Sequence, residues 1–310
     1  MSQHDTFMRT RKKSHRRLDA DDLAYEAEDH DYYRSFFDEE DEDAPGGDGP
    51  PEGDRWSIWD QSEPLERGPK PYPEWLVTEA AAVDHELGIL KTGKEADVFL
   101  LERAVPGTDR SCLLAAKRYR SSEHSMFRRN DGYLEGRSVR DSRESRAMAN
   151  RTQFGKEAIA GRWANAEFDA LRRMFEAGVA VPYPVQIFGT EILMEFIGEP
   201  DGTAAPRLAQ LRPDATELAD LWRQLSDSLS IMARDGFAHG DLSAYNVIVQ
   251  DGRLVIIDVP QIIDVIANPR GAEFLRRDVR NIGNWFKARG LPEEQVEELA
   301  EELCRDARIH

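Results

Sequence analysis

The sequence predicts an α+β fold of two lobes: a five-stranded antiparallel sheet carrying one helix, followed by a mainly helical second lobe. Three observations lead there. Short apolar runs separated by turn residues occupy residues 87–119 and recur at 185–197. One long stretch between them, 157–177, has helical spacing, and three further helical stretches fill most of the chain beyond Gly198. With 310 residues, 40% of them hydrophobic, there is ample material for a buried core, which excludes disorder throughout.

Taken in order, residues 1–54 read as a disordered tail. Six basic residues (Arg9, Arg11, Lys12, Lys13, Arg16, Arg17) are followed over 21–54 by fifteen acidic residues against one arginine, so most of the net charge of −18 belongs to this segment. Like charges repel, and there is little apolar surface to offset chain entropy. The basic cluster reads as part of a solubilising tail in preference to a nucleic-acid or targeting patch. Residues 55–72 are expected to be a linker, with Trp56 and Trp59 where the packed region starts. The first lobe spans 73–198. Its strands 87–90, 96–101 and 112–119, broken at Thr92-Gly93 and Pro106-Gly107, form a meander. An Arg-rich stretch, 120–153, has no clear periodicity and reads as a long flexible loop. The helix 157–177 stops at Gly178, and strands 185–188 and 191–197 complete the sheet. The second lobe, 199–310, holds helices at 214–235, 271–289 and 292–307.

Cys112 and Cys304 are too far apart to suggest a disulfide framework or a metal knuckle, which fits a reducing compartment. Residues 1–18 lack the apolar core of a secretory signal, and no stretch approaches the ~20 apolar residues of a membrane span. A soluble, cytoplasmic chain is expected.

The richest segment is 239–258. Asp251-Gly252 signals a two-residue hairpin turn with both residues at positive φ. That turn sets Asn246 opposite Ile257, with Asp258 next along the chain. An amide oxygen and a carboxylate at adjacent strand ends suit Mg²⁺, which takes one or two protein oxygens and keeps water and phosphate for the rest. Asp241, five residues before Asn246, is placed to accept a proton from an attacking hydroxyl. Base, metal ligand and second metal ligand in this spacing form a phosphotransferase arrangement. His239 reads as a structural hydrogen-bonding residue.

Phosphoryl transfer also needs a cation. Lys117 closes the apolar run 112–116, and Glu167 lies in the helical stripe of Trp163, Leu171 and Met174. A charge facing the core is costly unless paired, so each supplies the partner that the other needs. The pair is expected to position ATP phosphates. The segment 88–95 fits the P-loop pattern superficially, but Glu95 replaces the hydroxyl residue and 96–100 reads as strand where a helix is required. A strand-turn-strand with Thr92 and Gly93 at the turn instead offers backbone amides to phosphate.

Together these residues resemble the RIO family of atypical serine/threonine protein kinases, over about 75–289. Lys-Thr-Gly-Lys-Glu-Ala-Asp-Val at 91–98 is similar to the family's phosphate loop, Ala-Ala-Lys at 115–117 to its strand lysine, and Leu-Met-Glu-Phe-Ile-Gly at 193–198 to its interlobe hinge. His-Gly-Asp-Leu-Ser-Ala-Tyr-Asn at 239–246 and Ile-Ile-Asp-Val-Pro-Gln at 256–261 resemble its catalytic and metal loops, and Phe-Leu-Arg-Arg-Asp at 274–278 a helix signature. The resemblance implies a bilobal protein-kinase-like fold that uses ATP and Mg²⁺ to phosphorylate serine or threonine. In it, Thr92, Gly93, Lys94 and Lys117 contact phosphate and Glu167 positions Lys117. Adenine lies on the backbone of Glu195 and Ile197 beside Met194. Asp241 is the catalytic base, and Asn246 and Asp258 hold metal, which makes Asp241, Lys117 and Asp258 the catalytic set. Departures from the family pattern are Lys91 where serine is usual, Ala244 where an acidic residue is common, and Pro260 where serine is typical.

Gly240 stands where ordinary protein kinases carry arginine, and only a dozen residues separate Asp258 from the helix at Gly271, too few for a full activation segment. Activity is therefore expected not to depend on activation-loop phosphorylation. Expected partners are a protein substrate, with the chain itself as one candidate, and a ribosomal precursor or RNA contacted through Arg128, Arg129, Arg137, Arg140, Arg143 and Arg146; no membrane contact is expected. Two alternatives remain: a small-molecule kinase of aminoglycoside or choline type, and a ribosome-assembly factor that uses ATP as a conformational switch.

Overall fold

The computed structural model describes residues 53–120, 153–259 and 262–309, all within one compact unit, Pro50–His310. The tail expected over 1–54 falls almost entirely outside the described residues, as do nearly all of the Arg-rich loop and Pro260. The first lobe is an antiparallel sheet of β1 (Arg55–Trp56), β2 (Val83–Thr92), β3 (Ala96–Ala104), β4 (Ser111–Tyr119), β5 (Pro184–Phe188) and β6 (Glu191–Glu195), in the order β1-β2-β3-β4-β6-β5. The five expected strands are present, and the two-residue β1 adds a sixth at the edge. The β2–β3 turn is tight: a Cβ on Gly93 would lie 2.7 Å from the Ala96 carbonyl oxygen. Pairing of β3 with β4 is unbroken from Ala96↔Tyr119 to Ala104↔Ser111, which fixes the face that each side chain takes.

Both faces of this sheet are covered. On one, α1 (Gln153–Ala177) packs Ala160, Ala164 and Phe168 against Ala96, Tyr119, Ile187 and Ile192. On the other, Trp59 and Leu76 pack against Phe99, Leu101, Leu114, Ala116, Tyr183, Val185 and Leu193. The segment 55–72, expected as a linker, therefore belongs to the packed domain. A Cβ on Gly68 would overlap the Pro184 carbonyl oxygen at 1.9 Å, so only glycine lets the chain run that close. The Pro, Gly and charged residues of 60–72 hid this packing, because they interrupt any apolar periodicity. Deeper charges on this face are paired: the fully buried Arg103 donates to both oxygens of Asp84 at 2.7 and 3.1 Å. Arg55 reaches Glu191 at 2.6 Å, tying β1 to β6.

The helix α1 begins a turn before its expected start at 157, at Gln153, directly after Thr152, a residue type that commonly precedes a helix. It closes at Gly178, whose φ of 88° is left-handed. Its last turns, with Leu171 and Met174, join the core of the second lobe. Arg173 pairs there with Asp235 at 2.6 Å. One rigid helix is thus embedded in both lobes. Burial of Phe168, Leu171 and Met174 stabilises this arrangement by about 1.5–3 kcal/mol each.

The second lobe holds α2 (Ala215–Arg234), α3 (Gly271–Lys287) and α4 (Glu293–Asp306) around a large apolar core that includes Cys304. Asp214 caps α2 by accepting from the amides of Thr216 and Glu217 at 2.8 and 2.9 Å, while Glu217 accepts from the Asp214 amide. Two small antiparallel pairs sit under the sheet lobe. The hairpin of β8 (Val247–Gln250) and β9 (Arg253–Ile256) has the expected register, Val247↔Ile256, with Asp251 and Gly252 both at positive φ. The pair of β7 (Phe237–Ala238) with β10 (Ile263–Asp264) was not foreseen, since two residues carry no alternation. Among the described residues no helix is long and apolar enough to cross a membrane.

Candidate active site

Lys117 lies on β4 facing α1, and its ammonium is shared by two carboxylates. Nζ is 2.7 Å from Glu167 Oε1 and 2.8 Å from Asp258 Oδ1. Glu167 is buried in α1 and reaches the strand as its place in the apolar stripe requires. Its second oxygen, Oε2, accepts a short hydrogen bond from the Tyr119 hydroxyl, two residues beyond Lys117 on the same strand face. Burial works against the Lys117 charge, but Glu167 and Asp258 outweigh it and hold the pKa above the ordinary 10.5. Burial and the neighbouring Glu167 carboxylate raise the Tyr119 pKa, so the phenol stays protonated and serves as donor. Asp258 responds oppositely: burial favours its neutral form, yet Lys117 and then Lys91 pull its pKa below 3.8. Asp258 adopts φ 63°, a left-handed conformation that costs a non-glycine residue energy and that surrounding contacts must hold.

Asn246 and Asp258 lie at the open end of the β8–β9 hairpin, and the Asp241 backbone is tied to Asn246. The Asn246 carbonyl accepts from the Ile257 amide at 2.9 Å, which sets Asn246 beside the residue preceding Asp258. Asn246 Nδ2 donates to the Asp241 carbonyl at 2.9 Å, so the side-chain amide is oriented and its Oδ1 is left to accept. Asp241 itself is exposed. The buried His239 accepts the Asp241 amide on Nδ1 at 3.3 Å and turns Nε2 to the Ile257 carbonyl at 3.4 Å, joining the two loops as a structural residue. Pairing of β7 with β10 clamps the far ends of the same loops.

Sequence reasoning missed the support beneath. Asp278 of α3 is buried and accepts from the amides of Gly240 at 2.7 Å and Leu242 at 3.3 Å, on either side of Asp241. Burial raises its pKa against the pull of those amides. The adjacent Arg277 donates a short hydrogen bond to the Gly240 carbonyl. A signal was available: Asp278 falls between Leu275, Val279 and Ile282 on the buried stripe of α3, as Glu167 does on α1. Tyr119 was likewise accessible from strand alternation.

Thr92 and Lys94 are exposed at the β2–β3 turn around Gly93, and the strand starting at Ala96 is the feature that excludes a P-loop. At the interlobe crossing, Met194 pairs with Ala115, two residues before Lys117 on β4. The Glu195 amide donates to the Tyr183 carbonyl at 2.9 Å, and the Ile197 carbonyl accepts from the Ala205 amide at 3.0 Å. The Ile197 amide has no hydrogen bond among the described residues. Burial raises the Glu195 pKa, although its carboxylate accepts from the Tyr183 amide at 3.0 Å.

A two-lobed α+β fold whose sheet lysine, helix glutamate and hairpin aspartate converge is the protein-kinase-like class. The family model described as RIO1, RIO domain, matches residues 105–299, and the chain belongs to the RIO domain family. It is 37% identical over 203 residues to the RIO-type serine/threonine-protein kinase Rio1 of Haloferax volcanii, covering 66% of this chain and 63% of that protein. It is 32% identical over 215 residues to the serine/threonine-protein kinase RIO1 of Caenorhabditis elegans, covering 69% of this chain and 39% of that protein. The matches thus span between about two-fifths and three-fifths of these relatives' lengths. Among solved structures, the Rio2 kinase-ADP/Mg²⁺-phosphoaspartate complex from Chaetomium thermophilum matches at TM-score 0.49 and 20% identity, covering 70% of this chain and 62% of that one.

Proposed function

We propose that the cleft transfers the γ-phosphoryl group of ATP to a serine or threonine hydroxyl of a protein, in a Mg²⁺-dependent reaction. The observation that carries this reading is the convergence of Lys117, Glu167 and Asp258, drawn from sheet, helix and hairpin, on one ammonium. Lys117 binds phosphate oxygens, and Glu167, held by Tyr119, keeps it aimed. Adenine lies beside Met194, where the free Ile197 amide donates and the Glu195 backbone contributes the second contact. Thr92, Gly93 and Lys94 close over the phosphates from the β2–β3 turn.

The donor set of Asn246 Oδ1 and the Asp258 carboxylate fits Mg²⁺: both are hard oxygen ligands at adjoining strand ends, and Asn246 already spends its NH₂ on the Asp241 carbonyl. When bound, the ion supplies charge neutralisation on the phosphate oxygens. Asp241 orients the acceptor hydroxyl and takes its proton as the hydroxyl oxygen bonds to the γ-phosphorus. The bond from that phosphorus to the β–γ bridging oxygen breaks, and ADP leaves. A cytoplasmic setting and contact with RNA or a ribosomal precursor are consistent with two unpaired cysteines and with the Arg-rich segment of the sequence.

The test is ATP turnover with and without Mg²⁺, followed by mass-spectrometric location of the phosphate on a protein acceptor or on the chain itself. Label on serine or threonine supports the reading. Label on an aspartate, or released only as inorganic phosphate, would favour an ATP-driven switch, and transfer to an aminoglycoside or choline a small-molecule kinase.

A further inference from the structure

Gln250 is the last residue of β8, beside the Asp251-Gly252 turn, and its side chain finds its partner outside the hairpin. Val247 and Val249 point into the core of the second lobe, so alternation puts Ile248 and Gln250 on the opposite face of the strand. From that face the half-buried Gln250 donates through Nε2 to the Gly198 carbonyl at 2.6 Å. The hairpin tip is itself anchored. Gln224 of α2 donates to the Gly252 carbonyl at 2.8 Å and accepts from the Leu254 amide at 2.9 Å.

Gly198 directly follows Ile197, whose amide has no partner among the described residues. The chain is tightly folded there: a Cβ on Gly198 would lie 2.4 Å from the Thr203 carbonyl oxygen and 2.6 Å from the Phe196 ring. The Ile197 carbonyl accepts from the Ala205 amide at 3.0 Å, and the Glu199 amide donates to the Thr203 carbonyl at 2.8 Å. These bonds shape the loop from within and do not attach it to the hairpin. Attachment comes from the Val249 amide, which donates to the Pro206 carbonyl at 3.0 Å, from the bridge between Arg207 and Ile248, and from Gln250. Of these three, the contact of Gln250 lies nearest to Ile197.

We infer that Gln250 is a positioning residue for the nucleoside: it ties the Gly198 carbonyl to the hairpin and so fixes where the Ile197 amide stands relative to the metal-binding end of the same strand. Asn246 directly precedes β8 and Gln250 closes it, so about 13 Å of one strand sets the spacing between the two contacts. The inference rests on the reading of the cleft as a nucleotide site in which Ile197 meets the base. Gln250 acts through the backbone and touches no ligand itself.

The experiment is calorimetric titration of adenosine, ATP and pyrophosphate, each with Mg²⁺, into the full chain and its Gln250→Met and Gln250→Lys variants. Methionine keeps the length of the side chain without a donor, and lysine restores one. Gln250→Met should weaken adenosine and ATP alike, roughly fivefold, the scale of one net hydrogen bond, and leave pyrophosphate unchanged. Gln250→Lys should return adenosine and ATP to within about twofold of the native chain. A purely structural role would not separate the probes, because loss of folded protein lowers the binding of all three together. Equal adenosine and ATP affinities in Gln250→Met and the native chain, or an equal loss for pyrophosphate, would overturn the inference while leaving the nucleotide site intact. A native chain that binds neither adenosine nor ATP would overturn the reading of the cleft itself, and the inference with it.

Discussion

Lys117 places one ammonium between carboxylates from α1 and from the loop after β9, so its neighbours decide how well it is aimed. Tyr119 is the least obvious of them. Replacing it with phenylalanine leaves Glu167 Oε2 without its donor in a buried site, and should cost about 1–2 kcal/mol of stability. Thermal unfolding checks this, and an ATP titration should show weakened binding, because Glu167 is then free to turn away from Lys117. Asp258 supplies a pH test. Its pKa in the folded protein lies below the ordinary 3.8, so its ion pair stabilises the fold at neutral pH and that contribution fades as pH falls through the folded value. Lys117 behaves in mirror image: its folded pKa is raised, so its contribution is present below 10.5 and is lost as pH rises beyond it. The stability gap between the native chain and Asp258→Asn, about 1 kcal/mol for a partly exposed carboxylate, should be flat from pH 5 to 9 on this account, about the range between those limits, and close in acid. A gap that widens as pH falls below 3.8 would contradict the assignment.

At the scale of elements, the loop carrying Asp241 takes its shape from α3. Asp278→Ala would leave the buried amides of Gly240 and Leu242 unmet, which should cost about 2–4 kcal/mol in urea unfolding and abolish ATP turnover. Asp278→Asn, which keeps one acceptor oxygen, should lose less. Wild-type stability in Asp278→Ala would show that the loop is held elsewhere. The two carboxylates on apolar helix stripes explain what was legible and what was not. Glu167 was recognised because a buried lysine elsewhere required a partner, whereas Asp278 pairs with backbone amides that no side chain announces. The β8–β9 hairpin followed from Asp251-Gly252 alone, since a turn with two positive φ values fixes register. By contrast, β1, β7 and β10 are two residues each, held by long-range pairing, and the packing of Trp59 depends on strands far away in sequence.

In the molecule taken whole, α1 is packed into both lobes, and among the described residues the chain between Asp258 and α3 forms β10 and a turn. Among the described residues, neither the helix that carries Glu167 nor that connection is a separate segment for phosphorylation to move. Phosphatase treatment should therefore leave ATP turnover unchanged, and its loss would show a phosphate-dependent switch. The central claim is that Lys117 directly, and Asp258 through a metal ion, hold the same phosphate chain from opposite sides of one cleft. A crystal structure of the chain with Mg²⁺ and a non-hydrolysable ATP analogue tests it most directly. The account predicts β- or γ-phosphate oxygens in contact with Lys117 Nζ, and a metal ion on Asn246 and Asp258. A nucleotide bound away from both side chains would contradict it.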